Sequence, residues 1–248
     1  MPKDRVKNVR LARALSKHGH CSRAQASELI RAGKVRVNGG VRRDPETAVR
    51  MGRDRIEVEG QAVVAREKVY LVLNKPRGIV TTAADEKGRD TVYSLLGAEL
   101  PWVAPVGRLD KASEGLLLLT NDSQWAARVT APGTHLDKTY HVQIGRIADV
   151  PLLDALMSGV HTKEGATLRV KSASLLRQGE RNSWLEIILD EGKNRHIRRM
   201  LESLGIEVLR LIRVAIGPLA LSTLGKGGVR KLTNEEKVVL DRAMQRRN

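Results

Sequence analysis

The sequence has few aromatic residues and almost no cysteine. Among 248 residues there is no Phe, and there are three Trp, three Tyr and one Cys. A hydrophobic core must therefore be built from aliphatic side chains. The single Cys21 excludes an internal disulfide framework and is typical of a protein of the reducing cytosol. One Cys and six scattered His form no cluster with the spacing of a metal site.

Long apolar runs are also missing. No stretch has the length and apolar character of a membrane span, and we recognise no charged-then-apolar leader at the N-terminus. These absences predict a cytoplasmic protein with no membrane partner.

Positive charge is what the chain has in excess. It carries 44 Lys and Arg against 28 Asp and Glu, a net charge of +16 with a pI near 10.4. Such a balance indicates a polyanionic partner, with nucleic acid first and an anionic membrane surface second. The charge is uneven, since residues 1–66 hold 16 Lys and Arg but 7 Asp and Glu. We therefore predict a basic domain over 1–66 and a second domain over 67–248.

The basic domain has a simple predicted order of elements. Apolar spacing predicts a helix over residues 9–19 and a second helix that follows Ser22 as its N-cap and runs to residue 32. Gly33 follows in the C-terminal cap position. Alternating charged and apolar residues then predict strands over 34–37, 54–59 and 61–64.

This pattern, with LARAL at 11–15, CSR at 21–23 and AGKVRVNG at 32–39, resembles the S4 RNA-binding domain. Because aromatic side chains are missing here, we expect contacts to phosphates and RNA shape rather than base stacking. The competing interpretation is an ordinary solvated basic face. The predicted phosphate contacts are Arg13, Lys17, Arg23, Arg31, Lys34 and Arg36.

The second domain mixes predicted strands and helices. Apolar runs predict strands over 69–73, 79–82, 103–106, 116–119, 138–144, 159–176, 184–189 and 207–216. Capping residues and helical spacing predict helices over 90–96, 122–129, 148–158, 194–204 and from 233 onward. The fold class is therefore α+β, with a mixed, largely antiparallel sheet flanked by helices.

The central stretch is 105–122, where two short apolar runs flank a polar loop between Gly107 and Gly115. Asp110 lies in that loop, which two buried strands would hold rigidly. A carboxylate presented in this way can be aimed at a substrate, although an Asx-turn or a plain loop charge remains the structural alternative.

GRLD at 107–110 followed by EGLLLLTND at 114–122 resembles the signature of the RsuA/RluB/RluE/RluF group of bacterial ribosomal RNA pseudouridine synthases. The resemblance implies that Asp110 is the catalytic carboxylate. NKPRG at 74–78 and KTY at 138–140 match two further motifs, and the second implies that Tyr140 packs on the target base. GKNRHIRRM at 192–200 matches a third, in which Arg198 would pair with Asp110. His196 stands where the family has Gln.

Further cations accompany these motifs. Three arginines at the start of the helix predicted over 194–204 oppose its dipole, which indicates an anionic partner. The predicted RNA contacts of this domain are Lys75, Arg77, Arg108, Arg195 and Arg199.

The resemblance implies isomerisation of uridine to pseudouridine in RNA, which requires no cofactor or metal. Asp110 would either attack the ribose or remove its 2′ proton, with the base flipped from its stack. The pattern looks most like members acting on 23S ribosomal RNA, free or in a pre-ribosomal particle, with the enzyme a monomer. Alternatives are a 16S ribosomal RNA synthase, a non-catalytic ribosome-associated RNA-binding factor, and a two-carboxylate hydrolase using Asp110 with Glu114.

Overall fold

The structure is a computed structural model that describes residues 8–83, 88–134 and 136–245. These residues divide into two compact units. The first unit comprises residues 8–70 together with Gly97–Ala104 and Leu119–Ser123, and the second comprises the other described residues. The domain boundary at 66/67 stays a prediction.

The first unit packs two short helices on small antiparallel sheets. The helices are α1 (Leu11–Lys17) and α2 (Arg23–Arg31). Ser22 caps α2 as predicted, since its hydroxyl accepts from the Gln25 amide while the Gln25 side chain accepts from the Ser22 amide. The strands are β1 (Asn8–Arg10), β2 (Val35–Val37), β3 (Gly40–Arg42), β4 (Ala48–Arg50), β5 (Ile56–Val58) and β6 (Gln61–Ala62). β1 pairs with β4, and the others form a sheet in the order β3-β2-β5-β6.

The second unit is built on one large sheet, although the strand-end residues Tyr70, Ala104 and 119–120 are grouped with the first unit. Its strands are β7 (Tyr70–Lys75), β8 (Ala104–Val106), β9 (Glu114–Thr120), β10 (Lys138–Ile144), β11 (Val160–His161), β12 (Thr167–Leu168), β13 (Ser172–Gln178), β14 (Ser183–Leu189), β15 (Val208–Ile216), β16 (Leu219–Ala220) and β17 (Val229–Lys231). The sheet order is β13-β14-β10-β15-β9-β7-β17, with β16 beside β15 and β8 beside β9, while β11 and β12 pair separately. β15 and β9 run parallel and the other pairings with a recorded register are antiparallel. The fold is therefore α+β, as predicted.

Four α-helices accompany this sheet in the described residues. They are α3 (Ser123–Thr130), α4 (Val150–Ser158), α5 (His196–Ser203) and α6 (Asn234–Ala243). Buried side chains of α4 and α5 join one face of β10, β14 and β15 in a single aliphatic core. α6 begins at the predicted capping box of Thr233 and Glu236.

β9 is the most buried strand, since all seven of its residues lie below the surface. Gly115 makes its parallel pairing possible. This residue has a φ of +102°, and a Cβ there would overlap the backbone carbonyl of Arg213 on β15. The close approach of β9 and β15 therefore requires glycine at this position.

Several element predictions were wrong. The strand expected over 79–82 is reduced to one parallel bridge between Val80 and Thr91, and the helix over 90–96 is a 3₁₀ turn at Val92–Leu95. The strand over 159–176 divides into β11, β12 and β13, because a turn at Gly165, with φ +81°, reverses the chain. None of the described helices is long and apolar enough to cross a bilayer.

Candidate active site

Asp110 lies in the loop of residues 107–113 that joins β8 to β9, here called the Asp110 loop. Gly107 begins it with a φ of +76°, and the Ser113 amide donates to the Asp110 carbonyl at 2.9 Å to close a turn. Leu109 is buried, and its carbonyl accepts from Thr81 Oγ1 at 2.8 Å. The Asp110 side chain itself is 37% exposed. The loop is thus fixed from within while the carboxylate stays accessible.

Lys75, at the end of β7, fixes the Asp110 loop through hydrogen bonds to its backbone carbonyls. Its ammonium is fully buried and donates to the carbonyls of Asp110 at 3.2 Å, Ser113 at 2.9 Å and Pro76 at 3.0 Å. Burial lowers the pKa of Lys75 to about 8, against the opposing pull of the Asp110 and Glu114 carboxylates. The phosphate contact of Lys75 stays a prediction that this structure does not favour, because its three N–H groups donate to carbonyls inside the protein.

Two arginines of α5 and its N-terminus lie near the carboxylate. Arg195 Nη1 is 4.0 Å from Asp110 Oδ2. Arg198 Nη2 donates instead to the Ala112 carbonyl at 2.9 Å, and among the described residues its Nε has no hydrogen-bond partner. The expected pairing of Arg198 with Asp110 is therefore not a direct ion pair here. Arg198 contacts the loop backbone, and Arg195 is the nearer charge.

The start of α5 also differs from the prediction. Arg195, rather than Asn194, occupies the N-cap position, with φ 49° and ψ 31° and no side-chain cap hydrogen bond. A non-glycine residue in this left-handed region is uncommon. This conformation accompanies the position of the Arg195 side chain near Asp110.

A cavity of about 510 Å³ opens in front of these groups. The Asp110 loop, β10, the N-terminal turn of α5 and β15 contribute to its lining, including Asp110, Tyr140, Arg195 and Arg198. It thus brings together the three residues predicted to be catalytic. Its volume is within the range of small-molecule sites and admits a single nucleotide base.

Two further cations, Lys138 and Arg213, line the same cavity. Burial lowers the pKa of Lys138, and the positive charge of Arg213 adds to the effect. Arg213 was missed by the sequence reasoning. On β15 it occupies the same face as Leu211, where the two-residue period calls for an apolar side chain, and that break in alternation was the available signal.

His196 is buried against the first turn of α5. It is 3% exposed, and burial lowers its pKa, with Glu191 at 4.0 Å opposing the shift. The imidazole is thus favoured in the neutral form. It lines the cavity, but among the described residues neither ring nitrogen has a hydrogen-bond partner.

The other predicted RNA contacts of the second unit differ in availability. Arg77 and Arg108 are exposed, although Arg77 Nη1 lies 3.4 Å from the Leu209 carbonyl. Arg199 is committed to Glu164, with Nη2 to Oε2 at 2.9 Å. Arg108 lines the same cavity as Asp110, and it has no ion-pair partner within the part of the chain that the structure describes.

In the first unit, four of the six predicted contacts are exposed arginines. They are Arg13, Arg23, Arg31 and Arg36. Lys34 is exposed but pairs with Glu59 at 2.7 Å. Lys17 is half-buried, and burial together with neighbouring Arg13 lowers its pKa.

Glu114 is not a second catalytic carboxylate in this structure. Arg210 binds it through two hydrogen bonds of 3.0 and 2.9 Å, and Lys226 lies 3.0 Å away. Burial would raise the pKa of Glu114, but these cations outweigh it and hold the pKa below its usual value. The two-carboxylate hydrolase finds no support, because both Glu114 oxygens are occupied.

Comparison with known proteins finds matches for both parts of the chain. A model of the RNA pseudouridylate synthase family matches residues 69–203, and an S4 domain model matches residues 9–56. The ribosomal large subunit pseudouridine synthase B of Bacillus subtilis (strain 168) is 40% identical over 229 residues, covering 92% of this chain and 93% of the relative. An uncharacterized RNA pseudouridine synthase of Aquifex aeolicus (strain VF5) is 36% identical, covering 95% of each chain. A crystal structure of a pseudouridylate synthase superposes with a TM-score of 0.65 at 29% identity, covering 94% of this chain and 99% of the other.

Proposed function

The chain belongs to the RNA pseudouridylate synthase family, and we propose that it converts a uridine of large-subunit ribosomal RNA to pseudouridine with Asp110 as the essential carboxylate. The family assignment makes it an RNA pseudouridine synthase with an N-terminal S4 domain. The enzyme class is thus the isomerase that the sequence motifs predicted.

The position of Asp110 carries the catalytic assignment. Its carboxylate is accessible, lines the cavity and sits on a loop anchored by Lys75 and Thr81. A carboxylate fixed in this way can contact a bound ribose without the entropy cost of ordering a mobile loop. In the reaction the bond from ribose C1′ to uracil N1 breaks, and uracil C5 is joined to C1′. Asp110 either attacks C1′ or removes the 2′ proton.

Two arginines and a tyrosine support this chemistry. Arg195 places a positive charge 4.0 Å from the carboxylate, and Arg198 fixes the loop through the Ala112 carbonyl. Tyr140 lines the cavity from β10, where its ring can pack on a base withdrawn from the RNA stack. Withdrawal costs a few kcal/mol, which contacts between exposed cations and the RNA backbone offset.

The S4 domain gives the RNA contacts. Its exposed arginines Arg13, Arg23, Arg31 and Arg36 present positive charge without aromatic side chains beside them, which suits phosphate contact and recognition of RNA shape. We assign the substrate to 23S ribosomal RNA because the Bacillus subtilis relative is named for the large subunit. We further propose that the protein acts as a cytoplasmic monomer on free RNA or a pre-ribosomal particle.

Asp110→Asn tests the assignment. The variant keeps the shape of the side chain and removes its charge, so tritium release from RNA containing 5-tritiated uridine should stop while RNA binding persists. Asp154→Asn, on an exposed position of α4, is the matched control and should release tritium at the wild-type rate. Retained turnover in Asp110→Asn would refute the role of this carboxylate.

A second measurement identifies the substrate. Pseudouridines are mapped in 23S and 16S ribosomal RNA from cells with and without the gene. One site lost from 23S RNA supports the proposal, whereas a loss confined to 16S RNA moves the enzyme to the small subunit. No change in either RNA, together with no tritium release by the wild type, would leave a non-catalytic RNA-binding factor.

A further inference from the structure

Arg213 is a buried cation in the wall of the active-site cavity. It lies on β15 directly opposite Tyr140 on β10, and the two residues share one face of the sheet. Only 6% of Arg213 is exposed, yet the residue lines the same cavity as Asp110. Directly opposed side chains on neighbouring strands lie within about 5.5 Å at Cβ. A base packed on Tyr140 is therefore within reach of the guanidinium.

The structure fixes this side chain from one side and leaves it unpartnered on another. Nε donates to the Leu116 carbonyl on β9 at 2.7 Å, and the backbone of Arg213 runs beside Gly115. Nη2 has no hydrogen-bond partner among the described residues, and no carboxylate of those residues lies within 4.0 Å of the guanidinium. Leaving a buried charged donor unpaired is costly. This arrangement indicates that an acceptor arrives with the substrate.

The chemistry of the reaction identifies that acceptor. When the N1–C1′ bond breaks, its electron pair stays on uracil and spreads from N1 onto the O2 and O4 carbonyl oxygens. C5 then bonds to C1′, the proton on C5 is lost and N1 takes up a proton, so the product is an isomer with no net change in atoms. The intermediate base is thus an anion that a fixed cation can stabilise.

We propose that Arg213 is a catalytic residue whose guanidinium donates a hydrogen bond to a carbonyl oxygen of the target uracil and stabilises the uracil anion formed when the glycosidic bond breaks. The inference rests on the proposed isomerisation. A phosphate is the other acceptor in RNA, but phosphates suit the exposed Arg108 and Arg195, whereas the buried Arg213 suits the withdrawn base. The Leu116 bond holds the cation in place before the reaction, so little reorganisation is needed as charge develops.

The test compares Arg213→Gln with wild type in single-turnover reactions on two RNAs. One RNA carries uridine at the target and the other carries 5-fluorouridine, whose fluorine already stabilises the departing anion. Cleavage of the N-glycosidic linkage is measured by chromatography of nucleoside digests. We expect a rate loss of roughly 10²-fold with uridine and a clearly smaller loss with 5-fluorouridine, at unchanged RNA affinity.

Two further variants keep the result interpretable. Arg210→Gln changes an arginine of the same strand on the opposite face, where it binds Glu114, and should lower stability while leaving the rate of the folded enzyme unchanged. Arg213→Lys retains the charge, so it should show a smaller uridine deficit with the same dependence on fluorine, and it serves if Arg213→Gln does not fold.

Equal rate losses of Arg213→Gln on both RNAs would overturn the proposal, because the effect of a structural or positioning residue does not depend on the leaving group. A fall in RNA affinity that accounts for the whole deficit would also overturn it and would assign Arg213 to a phosphate. Failure of the unaltered protein to form pseudouridine refutes the proposed function itself. A different outcome refutes the role of Arg213 alone. In that case the wild type forms pseudouridine, but Arg213→Gln loses the same factor in rate on the uridine RNA and on the 5-fluorouridine RNA.

Discussion

Replacing Lys75 by Met tests whether a buried ammonium holds the Asp110 loop. The variant removes three hydrogen bonds and leaves the carbonyls of Asp110, Ser113 and Pro76 without this donor. A hydrogen bond to a charged group contributes about 1.5–3 kcal/mol. Since one of the three acceptors is the backbone of Asp110 itself, we expect turnover at pH 7 to fall at least about tenfold, equivalent to about 1.4 kcal/mol.

The pH dependence of the unfolding free energy should reveal the contribution of Lys75. Burial lowers the pKa of Lys75 from 10.5 to about 8, so between these values the unfolded chain holds a proton that the folded chain has released. The unfolding free energy contributed by Lys75 therefore rises as pH increases from about 8 to 10.5. At about 1.36 kcal/mol per pKa unit, the full change is about 3 kcal/mol.

The assay is urea unfolding of the wild type and Lys75→Met at matched pH values from 7 to 10.5. The difference between the two unfolding free energies cancels other titrating groups, and it should move in favour of the wild type as pH rises. Parallel curves across this range would refute the reasoning, because they would mean that Lys75 releases no proton on folding. Unchanged turnover in the variant would show that the Asp110 loop does not depend on the ammonium.

Two other substitutions probe the frame of the site. Glu114→Gln should lower the unfolding free energy by about 1–2 kcal/mol, because the buried carboxylate is lost but the Arg210 guanidinium left behind is about one third exposed and is screened by water. The wild type should lose this contribution as pH falls through the depressed carboxyl pKa. A variant as stable as the wild type in urea would contradict this. Gly115→Ala should prevent or strongly weaken folding, because its Cβ would overlap the Arg213 carbonyl, whereas Gly133→Ala, in open space, should change thermal stability by no more than about 0.5 kcal/mol. Equal melting temperatures for the two glycine variants would contradict the steric argument.

Local signals predicted the elements that local chemistry determines. The strand predicted over 138–144 is β10, and Ser22 and Thr233 cap their helices as expected. These predictions are confirmed because alternation and capping depend on residues that are neighbours in the sequence. The apolar run 79–82 fails for the opposite reason. A strand needs a partner edge, and within the described residues this run forms a single bridge, from Val80 to Thr91.

Some features of the site were also predictable from the sequence and others were not. The Asp110 loop was predictable from two apolar runs, two glycines and a family motif, and the cavity brings Tyr140 and Arg198 to it. The contact of Arg195 with Asp110 was not predictable, because it depends on a left-handed residue at the start of α5. The burial of Lys75 was hidden for a related reason. Sequence gives its charge, whereas two of the three carbonyls around it belong to the Asp110 loop, 35 and 38 residues further along the chain.

The burial of every residue of β9 has a consequence for how the enzyme loses activity. A strand with no face toward water exchanges its amide hydrogens through global opening rather than local fraying. The Asp110 loop is attached directly to that strand and tied to β7 through Lys75. Heat or denaturant should therefore abolish catalysis and the central sheet in one cooperative transition, with no partly folded species that keeps the sheet but has a disordered carboxylate.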